Sequence, residues 1–487
     1  MGLMGDRIRG YWCARRAARR RLLPRGAGVA LVTSILIIGG AVPGSAAPTP
    51  VSQASTSARG VSAHSINVVF PVVSLTSLAG RFELAADVEY GEQAKAIHLF
   101  VNQINATGGI NGRLINPMIV SYDPTDDASM RALCKQWTEG TPAAFAVLDG
   151  LGTWESDNQL CITQEGHTPL LAQWTTTTNW TNLGAPYLWW TGPNESQILQ
   201  ALVTWGKSSG RLGHGKKVAV LVSDQSSDED AYTSALLPDL RKAGVQAEEI
   251  TVAANIDETA SIDSDATLAV ERLKSEGVQS VIPLLPENAF LPYIAAETSQ
   301  NYFPKLLLSD YQFQIEIALG LIPIPYDKAL NGQQGVTTET LGGIDDSRPE
   351  SLGGYDPGDR SCWDIWHKAY PEDPKGDKSD FIEEQGPVQG WCQEIDLFAT
   401  AAKAAGKDLN RRTFVEAMSH ITNYPGGYAP TFSFGPDKFS GPTQYRVVEI
   451  HDNTPRTNAC LTGMHSKSPN PTCWVIEQNW KPLPKAN

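Results

Sequence analysis

From residue 66 to residue 309 the chain repeats one pattern, a short apolar run followed by a longer stretch of helical period. Ile66-Asn67-Val68-Val69-Phe70-Pro71-Val72-Val73 reads as a buried strand, and Ala94, Ile97, Val101 and Ile104 share one helical face after it. Gly108-Gly109 ends that helix, Asn111-Gly112 turns the chain, and Leu114 to Tyr122 makes the next strand. Further strands are expected at Ala144–Leu148, Leu170–Ala172, Lys217–Val222, Ala247–Ile250, Ser280–Leu285 and Lys305–Ser309. Helices such as Ser196–Ser208 and Ala231–Ala243 lie between them. Alternation of this length implies right-handed crossovers and parallel sheets with helices on both faces, so the fold class is α/β. One core rarely grows beyond about 250–300 residues, so this chain of 487 is expected to form two lobes, with a boundary near Gly192-Pro193.

The ends read differently. Arg15, Arg16, Arg19, Arg20, Arg21 and Arg25 precede an apolar run from Val29 to Val42, which ends at Pro43-Gly44-Ser45-Ala46-Ala47. That order suits an export signal over 1–46, cut after Ala46, and Arg19-Arg20-Arg21-Leu22-Leu23 resembles a twin-arginine signal. An uncleaved anchor is the competing reading, although the run falls short of the ~20 residues that span a bilayer. No cysteine lies near the cut, so lipid attachment is not expected. Residues 47–64, rich in Ser, Thr, Ala and Pro, read as a flexible linker. Beyond Gly335 the pattern changes to helices at Ser361–Ala369, Pro387–Ala405 and Arg412–Ser419, then a late hairpin of Thr431–Phe434 and Gln444–His451.

Charge and cysteines narrow the class. The leader carries eight Arg and one Asp, so its removal lowers the formal charge from −14 by seven, to −21. Such an acidic chain repels phosphate backbones, and no nucleic-acid partner is expected. Cys13 leaves with the leader, and Cys134, Cys161, Cys362, Cys392, Cys460 and Cys473 remain. An even number in an exported protein reads as disulfides. Six cysteines permit 15 pairings, of which pairing of sequence neighbours is the simplest. None has zinc-ligand spacing, so no metal is expected.

The segment Tyr90-Gly91, Ala94, Ile97 and Val101 to Arg113, with its Ile104-Asn105-Ala106-Thr107-Gly108-Gly109-Ile110-Asn111-Gly112 core, closely resembles type I periplasmic binding proteins. It is most similar to the branched-chain amino-acid-binding branch of ABC importers. The resemblance extends more weakly from Ile66 to His451, including Lys217-Val218-Ala219-Val220-Leu221. It implies two hinge-linked lobes joined by three crossovers, lobe 1 over 65–192 plus 335–415 and lobe 2 over 193–334 plus 416–455. Residues 456–487 would form a tail pinned by Cys460 and Cys473. Ligand would bind in the cleft, at the carboxyl ends of the strands.

The resemblance also assigns site residues. Loops after the third and fourth strands would hold a ligand carboxylate with N–H groups and hydroxyls. Here they are Gly150-Leu151-Gly152-Thr153-Trp154-Glu155 and Ala172-Gln173-Trp174-Thr175. Thr153 and Thr175 stand where the hydroxyls belong, unless they only cap helices. Trp154 and Trp174 depart from the small residues usual there, and would either stack on a ligand or fill core. Gln173 completes the second loop. Asp310, after Leu306-Leu307-Leu308-Ser309, falls where the family pairs an acid with a ligand ammonium, or else caps a strand end. Asp224 and Asp228 lie where lobe 2 faces the cleft, and the group Trp180, Trp189 and Trp190 reads as core or rim.

Motifs for chemistry fail on inspection. Gly210-Arg211-Leu212-Gly213-His214-Gly215-Lys216 imitates a phosphate loop but precedes a strand and has Lys217 where Ser or Thr would hold magnesium. Gly150-x-Gly152 lacks the third glycine of a dinucleotide loop, and neither HExxH nor GxSxG occurs. Asp257, Glu258, Asp263 and Asp265 lack the pattern of a calcium loop. The expectation is an exported, monomeric solute receptor of an ABC importer, with no cofactor and no catalysis. Its partners are a small polar ligand (an amino acid, an amide or a related aromatic compound) and a membrane permease. A sensor module and a hydrolase are the competing readings.

Overall fold

The structure is a computed structural model that describes residues 58–74, 90–123, 126–149, 156–173, 177–213, 215–255, 258–311, 314–316, 326–339, 357–371, 386–426, 429–452, 472–476 and 479–485. The expected leader, the expected linker up to residue 57 and Cys460 lie outside them. Five parallel strands form the first sheet: β1 (Ser65–Val73), β2 (Leu114–Tyr122), β3 (Ala146–Asp149), β4 (Leu170–Ala172) and β5 (Leu188–Trp190). Their spatial order is β2-β1-β3-β4-β5, with β1 and β2 in register from Ser65↔Leu114 to Val73↔Tyr122. The second sheet repeats that order with β6 (Val218–Ser223), β7 (Ala247–Val252), β8 (Ser280–Leu284), β9 (Lys305–Ser309) and β10 (Gln334–Thr337) as β7-β6-β8-β9-β10.

The inner strands β1, β3, β6 and β8 are apolar almost throughout because both of their faces are buried, whereas the edge strands β2 and β7 expose alternate residues. On β1, Val68, Phe70 and Val72 enter one core while Val69 and Val73 enter another. On β6, Ala219 and Leu221 face one core, and Val218, Val220 and Val222 face the opposite one. Trp189 and Trp190 of β5 likewise fill cores on opposite faces, each 1% exposed.

Helices α1 (Tyr90–Ala106), α2 (Asp127–Glu139), α3 (Ser156–Leu160) and α4 (Thr178–Gly184) follow the first four strands. Helix α5 (Glu195–Ser208) takes the chain to the second sheet. There α6 (Ser226–Asp230) runs through a π-helical turn into α7 (Leu237–Lys242), and α8 (Thr259–Glu276) and α9 (Glu287–Gln300) follow β7 and β8. Short helices α10 (Gln314–Glu316) and α11 (Asp327–Leu330) precede β10. The chain then returns to the first sheet as α12 (Pro357–Ala369), α13 (Gly386–Ala404) and α14 (Arg411–Met418), whose Trp363, Trp391 and Phe414 pack in the core with Phe70. Among the described residues no helix is long and apolar enough to cross a membrane.

The helix-to-strand signature has a steric cause. Gly109 ends the turn after α1 at φ +71, where a Cβ would sit 2.1 Å from the Arg113 carbonyl oxygen. Ile110 and Arg113 then bridge and launch β2. Disulfides join Cys134 of α2 to Cys161 and Cys362 of α12 to Cys392 of α13, the two expected neighbour pairings within the described residues.

Three expectations are corrected. Residues 58–64 are not loose linker: Asn67 N–H donates to the Gly60 oxygen at 2.8 Å, and Arg113 Nε to the Ser62 oxygen at 2.9 Å. The late hairpin does not form as drawn. Strand β12 (Thr431–Phe432) pairs with β11 (Tyr424–Pro425), and Phe432, Phe434 and Phe439 pack in the first sheet's core. Strand β13 (Gln444–Asp452) instead lies antiparallel to β10 in the second sheet. The terminal segment is sheet edge as well, because β14 (Thr472–Ile476) and β15 (Lys481–Pro482) both pair with β13.

Candidate functional site

Parallel sheets leave polar backbone and loop groups at the carboxyl ends of their strands, so the search for a site begins there. Thr153, Trp154, Trp174 and Thr175 lie outside the described residues. What is described at the first sheet's carboxyl edge is a set of buried polar side chains. Asp149 is the last residue of β3 and is 0% exposed. Gln173 follows Ala172, the register partner of Asp149 on β4, and is 2% exposed. Gln93, in the first turns of α1, donates from Nε2 to the oxygen of Val73 at 3.3 Å.

Helix α13 brings two more. Its Phe398 packs on Phe145 before β3, while Glu394, one turn earlier, meets Asp149 at the end of β3. The helix therefore runs against the strands, and Gln389 lies still nearer the carboxyl edge. Burial first, and the Asp149 carboxylate second, push the Glu394 carboxyl well above the usual range, opposed by the Asp149 N–H. That N–H approaches without completing a hydrogen bond to either Glu394 oxygen. Gln93 Oε1, both amide atoms of Gln173, and Gln389 Nε2 also lack hydrogen-bond partners. A buried polar atom left so costs about 1–3 kcal/mol.

The second sheet disposes of its expected acids internally. Asp228 is fully buried and accepts from the hydroxyls of Ser223 and Tyr311. Asp224 accepts from the Ala254 N–H at 2.9 Å. Asp310 accepts from the Thr338 N–H at 2.7 Å and its hydroxyl at 2.9 Å, bracing β9 against the end of β10. Burial raises its carboxyl to about 6, against the pull of the Thr337 and Thr338 hydrogen bonds and Arg446. Gln314 donates to Pro283 at 2.7 Å at the end of β8 and leaves its Oε1 unpartnered.

The two sheets meet at Asp230. From the first, Thr177 donates its hydroxyl to Asp230 and Asn179 donates from Nδ2 at 3.1 Å. Thr177 also caps α4, directly after the Gln173 loop. A cavity of about 350 Å³ lies elsewhere, between Phe100, Ile365, Ile395, Tyr424 and the Cys362–Cys392 disulfide. It opens in the helical layer toward the amino ends of the strands, where Asn105 bonds Ile115, and it is not the strand-end site. Among the described residues no His, Cys, Asp and Glu group is arranged to hold a metal ion.

Gln173 and Asp310 had sequence signals in their loops, whereas Asp149, Gln93, Gln389 and Glu394 did not enter the sequence reading. The available signal was polar residues at 389, 393 and 394 on a helix otherwise lined with Val388, Trp391, Ile395 and Phe398.

Residues 75–332, more than half of the chain, match the sequence model of the periplasmic binding protein family, and the chain belongs to that family. No curated protein matches by sequence. Among solved structures, a solute-binding protein of an ABC transporter from Rhodopseudomonas palustris with 3,4-dihydroxybenzoic acid aligns at TM-score 0.59 and 14% identity, covering 87% of this chain and 98% of that one. A fatty acid ABC transporter substrate-binding protein from Thermomonospora curvata aligns at TM-score 0.58 and 17% identity, over 80% and 90%. A branched-chain amino acid ABC transporter protein from Thermus thermophilus with bound valine aligns at 0.55 and 15%, over 79% and 92%. These likenesses share the type I fold.

Proposed function

We propose that this chain is the extracytoplasmic receptor of an ABC importer, capturing a small polar solute between the carboxyl ends of its two sheets and presenting it to a membrane permease. The family supports capture, and the structural neighbours carry the transporter association. The single observation that carries the site is Gln173, buried at a strand end with its whole amide unpartnered. Capture without turnover needs only that ligand bind the closed arrangement better than the open one. On this reading the Thr177 and Asn179 bonds to Asp230 belong to the closed arrangement.

The test is thermal unfolding of the purified protein against a broad library of amino acids, organic acids, amines, amides and polyols. A ligand at 100 times its Kd adds about 2.7 kcal/mol, which a melting curve resolves as a shift of several degrees. A melting temperature unmoved across the whole library would overturn the reading.

A further inference from the structure

Solute capture at the strand ends leaves unused the cavity of about 350 Å³ in the helical layer of the first sheet. Small-molecule sites span about 300–1,000 Å³, so a compact ligand fits. Its walls come from four elements: Phe100 and Ile104 of α1, Ile365 of α12, Ile395 of α13, Pro425 of β11, and the disulfide between α12 and α13. Phe100, Ile395 and both cysteines are buried, so the floor is apolar. Gln103, Ser361 and Asp396 also line the cavity but are exposed, and they mark its mouth.

A single negative charge stands at that mouth. Tyr424 donates its hydroxyl to Asp396 Oδ2 at 2.5 Å, which orients the carboxylate without neutralising it. Burial first, then the Asp396 charge and bond, push the Tyr424 hydroxyl up, so it keeps its proton and remains a donor. Among the described residues no lysine, arginine or histidine pairs with Asp396. An apolar body with a cationic head complements both ends of this space. A carboxylate head would meet like charge, and a neutral head would leave Asp396 to water. We propose that this cavity is a second small-molecule site, separate from the strand ends, which takes a compact hydrophobic amine with its body on the Phe100, Ile104, Ile365 and Ile395 floor and its ammonium on Asp396. Asp396 sets the head-group preference, and Tyr424 is the residue that positions it.

Calorimetry of the purified protein with benzylamine, benzyl alcohol and benzoate tests this, since the three share a body and differ in head charge. Benzylamine is expected to bind one to one and about threefold or more tighter than benzyl alcohol, the gap that an exposed ion pair supplies. Benzoate should bind more weakly than either. D396N should erase the preference for the amine while leaving benzyl alcohol unchanged. S361W, which sets an indole in the mouth, should abolish binding of both. Asp396 and Ser361 are exposed, so neither variant should move the unliganded melting temperature; should S361W fail to fold, the D396N comparison decides alone. Both residues lie away from the strand ends, so benzylamine held there would survive both changes. Such survival, a preference kept in D396N, benzyl alcohol or benzoate binding as tightly as benzylamine, or no saturable binding of benzylamine overturns the inference.

Discussion

The hydroxyl of Tyr311 donates to the carboxylate of Asp228, tying the residue after Asp310 to the helix that follows β6. Both side chains are buried, at 1% and 0% exposure, so the bond clamps two strand ends of the second sheet without help from solvent. Hydrogen bonds to a charged group contribute about 1.5–3 kcal/mol. Y311F is expected to lose an amount in that range, read as a lower urea midpoint with an unchanged slope. A loss below about 0.5 kcal/mol would show the clamp to be dispensable.

Glycine at two adjacent positions answers to two different constraints. Gly108 has φ +95 with nothing near a Cβ, whereas Gly109 has φ +71 and a Cβ would strike the Arg113 oxygen at 2.1 Å. G108A should therefore cost about 1 kcal/mol, from the left-handed backbone alone. G109A should cost clearly more, because the turn into β2 must also open. Equal losses by chemical denaturation would show that the clash relaxes freely.

Burial raises the carboxyls of Glu195, Asp310, Glu297 and Glu394. The folded state then holds protons that the unfolded chain, with ordinary carboxylates, has already released above about pH 4.5. Folded protein binds more protons in that window, so stability falls as pH rises toward and past 6, where Asp310 ionises. The urea midpoint is expected to be higher at pH 5 than at pH 8, and D310N should flatten part of the slope. A midpoint that is level or rising over this range would contradict the assignment.

Two disulfides stitch helices that cover opposite faces of the first sheet, Cys134–Cys161 and Cys362–Cys392. Loops of 27 and 30 residues are closed by them. Replacing either pair by serine is expected to cost about 2–4 kcal/mol, measured by thermal unfolding beside the oxidised parent. Because the pairs lie in separate cores, the losses should add.

Much of the frame was legible because parallel strands buried on both faces leave unbroken apolar runs, as at Val68–Val73 and Val218–Val222. Gly108, Gly109 and Gly112 marked the first turn through conformations that other residues resist. Pairing of β13 with β10 was not legible, since Gln444–Asp452 carries no mark of which distant strand it will join. The polar cluster was hidden for a related reason: Asp149 and Glu394 sit on elements far apart in sequence, and only packing of α13 on the sheet joins them. The bonds of Asp228 to Ser223 and Tyr311 were not legible either, because α6 spans only Ser226–Asp230, too short for periodicity to reveal which way its side chain turns.

The strands of the first sheet are all made by Trp190, yet its Phe70 and Leu171 face, begun by Ile97 and Phe100 of α1, is closed only when Trp363, Trp391 and Phe414 arrive. The second sheet waits longer still, for Val447 and Val448 to slot in beside Val336. A chain emerging from the ribosome or an export channel must therefore carry a half-clad sheet through most of its synthesis. Late, distant partners of this kind slow folding and leave greasy surface exposed meanwhile. Threading two look-alike halves with one strand of polypeptide thus lengthens the time for which apolar surface waits for its cover.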